Sequence, residues 1–180
     1  KPANTSDRAA FKALARYLPS GAVSVTSHLR RTHQTLDAIR LAGLELPEPM
    51  VDARLGEQDF GDWTGLTYAE ARAEYGGAYD RFWLAPVTER APNGESFVDL
   101  LARVRASIEA LTQQFSGRDI VCVAHGGTIR AAIAIALGIE PEPAVKFATD
   151  NLSTTLIDWL HPEPAFNGGW RVRGTNIQAR

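Results

Sequence analysis

Helical and strand-like patterns of apolar residues alternate along the chain. The longest helical pattern runs from Ser96 to Phe115, where apolar residues recur alternately four and three positions apart and so line one face of a helix. A second helix is predicted over residues 7–18, with Thr5 or Ser6 as its cap. One face of each helix is therefore expected to lie in a hydrophobic core.

Short apolar runs between the helical patterns predict β-strands. Residues 120–124 are too few for a helix and rich in β-branched types, which suits a strand that is covered on both faces. Further strands are predicted at residues 22–25, 154–159 and 170–175, and residues 176–180 are expected to form a loose tail. This alternation predicts a single α/β domain over residues 1–180.

The sequence VCVAHGGTIR at residues 121–130 places polar residues at the end of the best-defined strand. His125 follows the strand, and a helix is predicted over residues 128–137. Ligands of open α/β sheets bind at the carboxyl ends of strands, and backbone N–H groups after Gly126 and Gly127 would favour an anion at the helix N-terminus. The segment predicts an anion site that contains a histidine. The alternative is a tight turn with a hydrogen-bonded histidine.

In TSHLRRTHQT, residues 26–35, the end of a second predicted strand is followed directly by the start of a predicted helix. Arg30 and Arg31 lie in the first turn of that helix, where the helix dipole disfavours a cation unless an anion or a carboxylate also faces it. An arginine there indicates a ligand, and a solvated surface arginine is the alternative. His28 and His33 are five positions apart rather than four, which argues against a helical pair of metal ligands.

The sequence LGEQDFGDWTG, residues 55–65, contains too many glycines and acidic residues for a regular element. Phe60 and Trp63 still require burial, so they are expected to pin a rigid loop that presents Glu57 and Asp59. Loops of this kind carry functional sites. For Glu57 alone, the alternative roles are a helix cap and an ion pair.

Residues 67–93 predict a lid-like insertion. Thr67 and Glu70 have the spacing of a capping box for a short helix. Residues 74–93 combine two adjacent glycines with several aromatic residues, which indicates a partly helical flap. Aromatic lids line pockets, although plain packing is the simpler role for such rings.

Composition narrows the class of protein. The 180 residues are 44% hydrophobic and 22% charged, which is typical of a folded domain without a membrane span. A net charge of −2 and a pI near 6.1 give no overall attraction to nucleic acid or to an anionic membrane. The one cysteine, Cys122, lies in a predicted strand, so core packing and a cytoplasmic location are expected. The chain begins at Lys1 rather than at methionine, so a removed targeting segment stays an alternative.

Several of these segments resemble the motifs of a known family. TSHLRRTHQT, LGEQDFGDWTG, PNGES at residues 92–96, VAHGGTIR at 123–130 and DNLS at 150–153 follow one another as in the histidine phosphatase superfamily, which includes cofactor-dependent phosphoglycerate mutases. The resemblance covers nearly the whole chain. It implies a three-layer α/β/α sandwich with a mostly parallel central sheet.

The resemblance also implies a phosphate pocket that uses two histidines and two arginines. Matching positions give Arg31 as one arginine, His125 as the second histidine and Glu57 as the acidic residue. The other phosphate-binding positions that it implies are Ser27, Gly126 and Gly127. It implies no metal and no other cofactor.

One motif of the family does not occur in the sequence. The Arg-His-Gly motif ends the first strand of the family and supplies the nucleophilic histidine and an arginine. A parallel sheet also needs a strand ahead of the helix at residues 7–18. We therefore expect an Arg-His-Gly segment and its strand upstream of Lys1. Loss of catalysis is the alternative, but a sheet without its central strand would expose two unpaired edges.

The activity that the resemblance implies is hydrolysis of a small-molecule phosphate ester through a phosphohistidine, without a metal. Arg31, His125 and the N–H groups after Gly126 would counter the charge of the phosphoryl group, and Glu57 would protonate the leaving alkoxide. Phosphoglycerate mutase activity and an inactive member that binds phosphorylated ligands are the alternatives. The sequence leaves the substrate and the oligomeric state open, with a homodimer as one option.

The charge of the predicted lid favours hydrolysis over mutase activity. A mutase must keep its phosphoenzyme dry and retain a bisphosphate, which requires closure and polar contacts. The three arginines of the lid are balanced by four acidic residues, namely Glu70, Glu74, Asp80 and Glu89. Because an electroneutral lid is poorly suited to holding a bisphosphate, hydrolysis is expected to dominate.

Overall fold

The computed structural model describes residues 2–165 and 167–179, and it confirms the predicted α/β class with a mostly parallel sheet. In the described part of the chain, no helix has the length and the apolar character needed to cross a bilayer. The elements in chain order are α1 (Arg8–Tyr17), β1 (Val23–Thr26), α2 (Arg30–Leu41), β2 (Met50–Val51), α3 (Tyr68–Leu84), α4 (Phe97–Gln114), β3 (Ile120–Val123), α5 (Gly126–Leu137), α6 (Pro141–Ala144), β4 (Ser153–Leu160) and β5 (Gly169–Gln178), with short 3-10 turns at Ala53–Leu55 and Gly61–Trp63.

The strands form two separately hydrogen-bonded sheets. β1 is the centre of a parallel sheet in the order β2-β1-β3, in which Val25 pairs with Met50 on one side and with Cys122 on the other. β4 and β5 form an antiparallel hairpin whose register shifts between Thr154 and Ile157. Among the described residues, the outer edges of β3 and β4 have no strand partner.

Two clusters of buried apolar side chains cover opposite faces of the parallel sheet. One cluster joins β1 to α4 and α5, and its residues Val25, Leu100 and Ala131 are completely buried. The other joins β3 to α1 and α2 through residues that include Val121 and Leu36. Successive strand residues point to opposite faces, and in β3 Ile120 packs against the first cluster whereas Val121 belongs to the second. Helices on both faces give the predicted layer arrangement.

The β4–β5 hairpin shares a hydrophobic cluster with β3 but does not pair with it. Leu152 and Ala179, at the base of the hairpin, pack against the same cluster as Val121, and α5 contacts both strands of the hairpin. Cys122 is exposed, so its predicted core position was wrong. The physical reason is that β3 has a strand neighbour on only one edge among the described residues.

The predicted cap of the first helix was also wrong. Asp7, rather than Thr5 or Ser6, caps α1, because its carboxylate accepts the N–H of Ala10 at 3.0 Å. A carboxylate at this position also faces the positive end of the helix dipole. The helix therefore begins at the first residue after the strongest available acceptor.

Two other boundaries differ from the predictions. α5 begins at Gly126, two residues before the predicted start, so both glycines belong to the helix. β5 continues to Gln178 because that residue pairs with Ser153, which means that residues 176–178 are part of a strand rather than a loose tail. Arg180, the end of the predicted tail, lies outside the described residues.

The segment predicted as a lid folds around its own small core. In α3, two helical stretches meet at a kink at Gly76, where φ is 39°, so the predicted short helix is followed by a second helical stretch that ends at Leu84. Its capping box is confirmed, since the Thr67 N–H donates to Glu70 Oε2 at 2.7 Å. Trp63 and Phe82, with ring centroids 5.2 Å apart, centre a third cluster that shares no residue with the other two clusters.

Two chain segments meet at the base of this third cluster with no room between them. A Cβ on Gly61 would lie 2.1 Å from the carbonyl oxygen of Pro92, and a Cβ on Gly94 would lie 2.6 Å from that of Asp59. The N–H of Asp62 donates to the Pro92 carbonyl at 3.0 Å. Both glycines are therefore required by a close approach of backbone to backbone.

Candidate functional site

Two neighbouring parallel strands end at the same edge of the sheet and bring their polar residues together. Thr26, the last residue of β1, pairs with Val123, the last residue of β3. Ser27 follows the first strand and is completely buried, and His125 follows the second and is 6% exposed. His125 is also the residue immediately before α5. The predicted meeting of these two strand ends is therefore present in the structure.

Both ring nitrogens of His125 are hydrogen-bonded. Arg31 Nε donates to Nδ1 at 3.1 Å, and Nε2 lies 2.8 Å from Ser27 Oγ. A guanidinium can only donate, so Nδ1 is the unprotonated nitrogen of a neutral ring and Nε2 donates to Ser27. Ser27 Oγ also accepts the N–H of Leu29 at 3.1 Å and lies 3.2 Å from Thr32 Oγ1, to which it can donate. This network of donors and acceptors is satisfied with His125 uncharged.

The electrostatic environment also favours the neutral imidazole. Burial lowers the pKa of His125 to about 4, and the positive charges of Arg31, His28 and Arg103 act in the same direction. An anion placed between Arg31 and His125 would oppose these charges and favour the imidazolium. The ring is thus able to take up a proton when an anion binds.

The Glu57 carboxylate lies at the N-terminus of α5. Its Oε1 accepts the N–H of Gly127 and the N–H of Gln58, each at 3.0 Å. Free N–H groups and the helix dipole both favour a carboxylate at this end of a helix. Thr128 Oγ1 donates to the carbonyl oxygen of Gly56 at 2.8 Å, which ties the same loop to the same turn. These contacts bring Glu57 to the sheet edge at which the imidazole lies.

Gly127 leaves no room for a side chain. A Cβ on Gly127 would lie 2.5 Å from Glu57 Oε1 and 3.1 Å from Leu100 Cδ2. The Gly127 N–H is donated to Glu57 in this structure, so a phosphate would have to compete for it. Phosphate binding by Gly126 and Gly127 stays a prediction.

The residues predicted from separate motifs fall into one constellation. Ser27 and Arg31 each contact His125 directly, and Glu57 accepts the N–H of Gly127, two residues after His125. Their catalytic and binding roles stay predictions, because a contact shows proximity and not chemistry. Guanidinium, imidazole and backbone N–H groups are donors suited to an anion.

Sequence reasoning missed one residue of this region. The Arg103 guanidinium donates to the backbone carbonyl of Glu57 at 2.9 Å and is paired with Glu95. Arg103 lies on α4 in a stretch whose only pattern is the apolar helix face, so no motif distinguished it from a surface arginine. Glu95 belongs to the PNGES segment, which was the one available signal.

Metal-ligand chemistry has no counterpart in the described residues. Within residues 2–165 and 167–179, no three His, Cys, Asp or Glu side chains are grouped as metal ligands would be. The positive charge near the imidazole comes from side chains, chiefly Arg31.

Comparisons with known proteins agree on one family. The model of the histidine phosphatase superfamily, branch 1, matches residues 4–171. Glucosyl-3-phosphoglycerate phosphatase of Mycobacterium tuberculosis is 38% identical over 167 residues, which cover 87% of this chain and 74% of that protein. The 2,3-bisphosphoglycerate-dependent phosphoglycerate mutase of Rhizobium meliloti is 32% identical over 153 residues, which cover 82% and 70%.

Solved structures have the same fold. The structure of mycobacterial glucosyl-3-phosphoglycerate phosphatase with inorganic phosphate superimposes with a TM-score of 0.75 at 31% identity, and the match covers 96% of this chain and 86% of that chain. A longer relative, the bifunctional protein Rv2228c of Mycobacterium tuberculosis, is 38% identical over 139 residues, which cover 77% of this chain and 37% of that protein.

Proposed function

The chain belongs to the histidine phosphatase superfamily, and we propose that it carries the phosphate-binding and acid–base residues of a phosphomonoester hydrolase that works through a phosphohistidine. The observation that carries this proposal is the contact between Arg31 and His125 at the shared end of two parallel strands. The same sheet edge holds Glu57 against the first turn of α5. A cationic donor, a titratable ring and a carboxylate there match the needs of phosphoryl transfer.

Arg31 and His125 would bind the phosphoryl group of the ester. When a phosphate oxygen takes over the Arg31 Nε donor, His125 Nδ1 loses its present partner. The anion also favours protonation of the ring, so that His125 can donate to a second phosphate oxygen. Both donors then face the charge that develops as the phosphoryl group is transferred, at positions fixed before the reaction begins.

Glu57 would act as the general acid and then as the general base. Transfer of the phosphoryl group leaves an alkoxide that needs a proton, and hydrolysis of the phosphohistidine needs a base for the attacking water. The Gly127 and Gln58 N–H groups hold the carboxylate in one orientation. The reaction would need no metal, because arginine, imidazole and N–H groups supply the compensating charge.

The nucleophilic histidine would come from a strand outside residues 1–180. The outer edges of β3 and β4 have no partner among the described residues, and the base of the hairpin packs against the same cluster as β3. A strand parallel to β3 between them would join the two sheets. Its carboxyl end would lie at the edge that holds His125, which is where an attacking histidine is needed.

We predict that the native gene encodes an Arg-His-Gly segment upstream of Lys1 and that its strand covers the edge of β3. In the folded native protein, Cys122 should then resist alkylation, whereas in the denatured protein Cys122 should be labelled fully. Mass spectrometry after timed alkylation measures both. A native start near Lys1 without this motif, or equally fast labelling of the folded protein, would contradict the proposal and favour a phospho-ligand-binding protein without catalysis.

Hydrolysis, rather than mutase activity, fits the charges of the segment predicted as a lid. In α3, Arg72 Nε lies 3.4 Å from Asp80, and after α3 Arg90 pairs with Asp99 at 2.9 Å. These two arginines are therefore already compensated. A segment with so little free positive charge is poorly suited to retaining a bisphosphate.

We predict that the native protein hydrolyses p-nitrophenyl phosphate and interconverts phosphoglycerates far more slowly. Phosphate release and 2-phosphoglycerate formation from 3-phosphoglycerate are measured in parallel, each with and without EDTA. The hydrolysis rate should not change with EDTA, since no metal takes part. Rapid interconversion that bisphosphoglycerate stimulates, with negligible phosphate release, would establish the mutase alternative. A loss of hydrolysis that only added metal restores would remove the metal-independent mechanism.

A further inference from the structure

One arginine of α4 fastens the loop that carries Glu57. Arg103 Nε donates to Glu95 Oε2 at 3.0 Å, and its Nη2 donates to Glu95 Oε1 and to the Glu57 carbonyl at 2.9 Å. Nη1 donates to the carbonyl oxygens of Arg54 at 2.6 Å and Gly56 at 3.0 Å. A guanidinium has five N–H groups, and all five are used here.

Glu95 fastens the other side of the same loop. Its Oε1 accepts the N–H of Asp59 at 2.9 Å, and its backbone N–H donates to the Asp59 carbonyl at 2.9 Å. The Gln58 side chain donates to the Glu95 carbonyl at 3.2 Å. Arg103 therefore binds the backbone on the N-terminal side of Glu57, and Glu95 binds the backbone on its C-terminal side.

The ion pair between Arg103 and Glu95 is strong because it is partly shielded from solvent and bidentate. The side chains of Arg103 and Glu95 are 24% and 18% exposed, whereas the Glu48 partner of Arg40 is 88% exposed. Two parallel charge-assisted bonds fix the plane of the guanidinium as well as its position. The loop has no regular hydrogen-bond ladder of its own around Glu57, so these bonds decide where its backbone lies.

We infer that Arg103 and Glu95 are positioning residues that hold the Glu57 carboxylate at the Gly127 N–H in the orientation for proton transfer, an inference that rests on the function proposed above. The two anchors leave Glu57 free only in its side chain, and the Gly127 and Gln58 N–H groups fix that side chain. Proton transfer is sensitive to displacements well below 1 Å, so a loosened loop would lose the acid without losing the phosphate site.

The test uses two esters that differ in their need for the acid. In the native protein, kcat/KM is measured for an alkyl phosphate, whose alkoxide must be protonated, and for p-nitrophenyl phosphate, whose phenolate leaves without a proton. Arg103→Gln should reduce kcat/KM about 100-fold for the alkyl ester and only a few-fold for the aryl ester, the scale of a lost general acid. Glu57→Gln should show the same discrimination, and adding Arg103→Gln to it should cause little further loss.

Arg105→Gln is the matched control, because Arg105 is an exposed arginine on the same helix. It should leave both values unchanged. If Arg103→Gln does not fold, as judged by circular dichroism, Arg103→Lys keeps the charge with three N–H groups in place of five and should show the same selective loss to a smaller extent.

The outcomes separate the two proposals. A native protein that hydrolyses neither ester would overturn the proposed function, and this inference with it. Discrimination by Glu57→Gln, together with equal losses on both esters for the Arg103 variants or full additivity with Glu57→Gln, would overturn only the positioning role. Selective and non-additive losses would support both.

Discussion

Hydrolysis of phosphomonoesters by the native protein should fall by about 100- to 1000-fold when either Arg31 or His125 is replaced by alanine. Each side chain would donate to the phosphoryl group from a position fixed before substrate arrives, so its loss removes stabilisation of the transition state. Arg31 and His125 also contact each other through Nε and Nδ1. The double variant should therefore lose less than the product of the two single losses. Steady-state kinetics on the three variants measures this.

The neighbouring Arg30 provides the matched control. Arg30 is exposed in the same first turn of α2, so Arg30→Ala removes an identical charge without removing the contact to His125. It should retain nearly full activity. Turnover within a few-fold of wild type in Arg31→Ala or His125→Ala would remove that residue from the mechanism.

Replacing Gly127 by alanine should nearly abolish turnover of alkyl phosphates. The new Cβ would lie 2.5 Å from Glu57 Oε1, well inside van der Waals contact, so the carboxylate must leave the Gly127 N–H. We expect a loss of about 100-fold or more, comparable to removal of a general acid. Because the damage acts through Glu57, Gly127→Ala should add little to Glu57→Gln.

Gly77→Ala tests whether the loss is specific to the site. Gly77 lies in α3, where a Cβ would meet only Arg81 Nη1 at 3.7 Å, an ordinary contact. Alanine is a better helix former than glycine, so this variant should keep its activity and have at least the thermal stability of wild type. Unchanged alkyl phosphate hydrolysis in Gly127→Ala would show that Glu57 is not the acid or that the helix shifts without cost.

The site was predictable where its residues follow strand ends. Parallel strands share a carboxyl edge, so the polar residues after β1 and β3 had to meet, and Ser27 and His125 do so. The capping box of α3 was predictable because its spacing is fixed by the first helical turn. This helix cap thus follows from local sequence, whereas the Ser27–His125 contact also requires the parallel pairing of β1 with β3.

The Arg103–Glu95 pair was not predictable, because it depends on where an irregular loop lies. Its acceptors are backbone carbonyls, which every residue possesses and no sequence pattern marks.

The exposure of Cys122 had a different cause. An apolar run predicts burial on the assumption that both edges of its strand are paired, and the second edge of β3 has no partner among the described residues.

The separate cluster around Trp63 and Phe82 has a consequence for how the protein can change over generations. Its side chains belong to neither of the two clusters on the parallel sheet. The chain segments before and after α3 approach each other closely where Gly61 and Gly94 touch the opposite backbone. Mutations that repack or lengthen α3 must keep that close approach and the contacts of the following segment with α4, which include the Arg90–Asp99 pair. Selection can therefore remodel the segment predicted as a lid, while purifying selection on the sheet edge that carries Arg31 and His125 continues undisturbed.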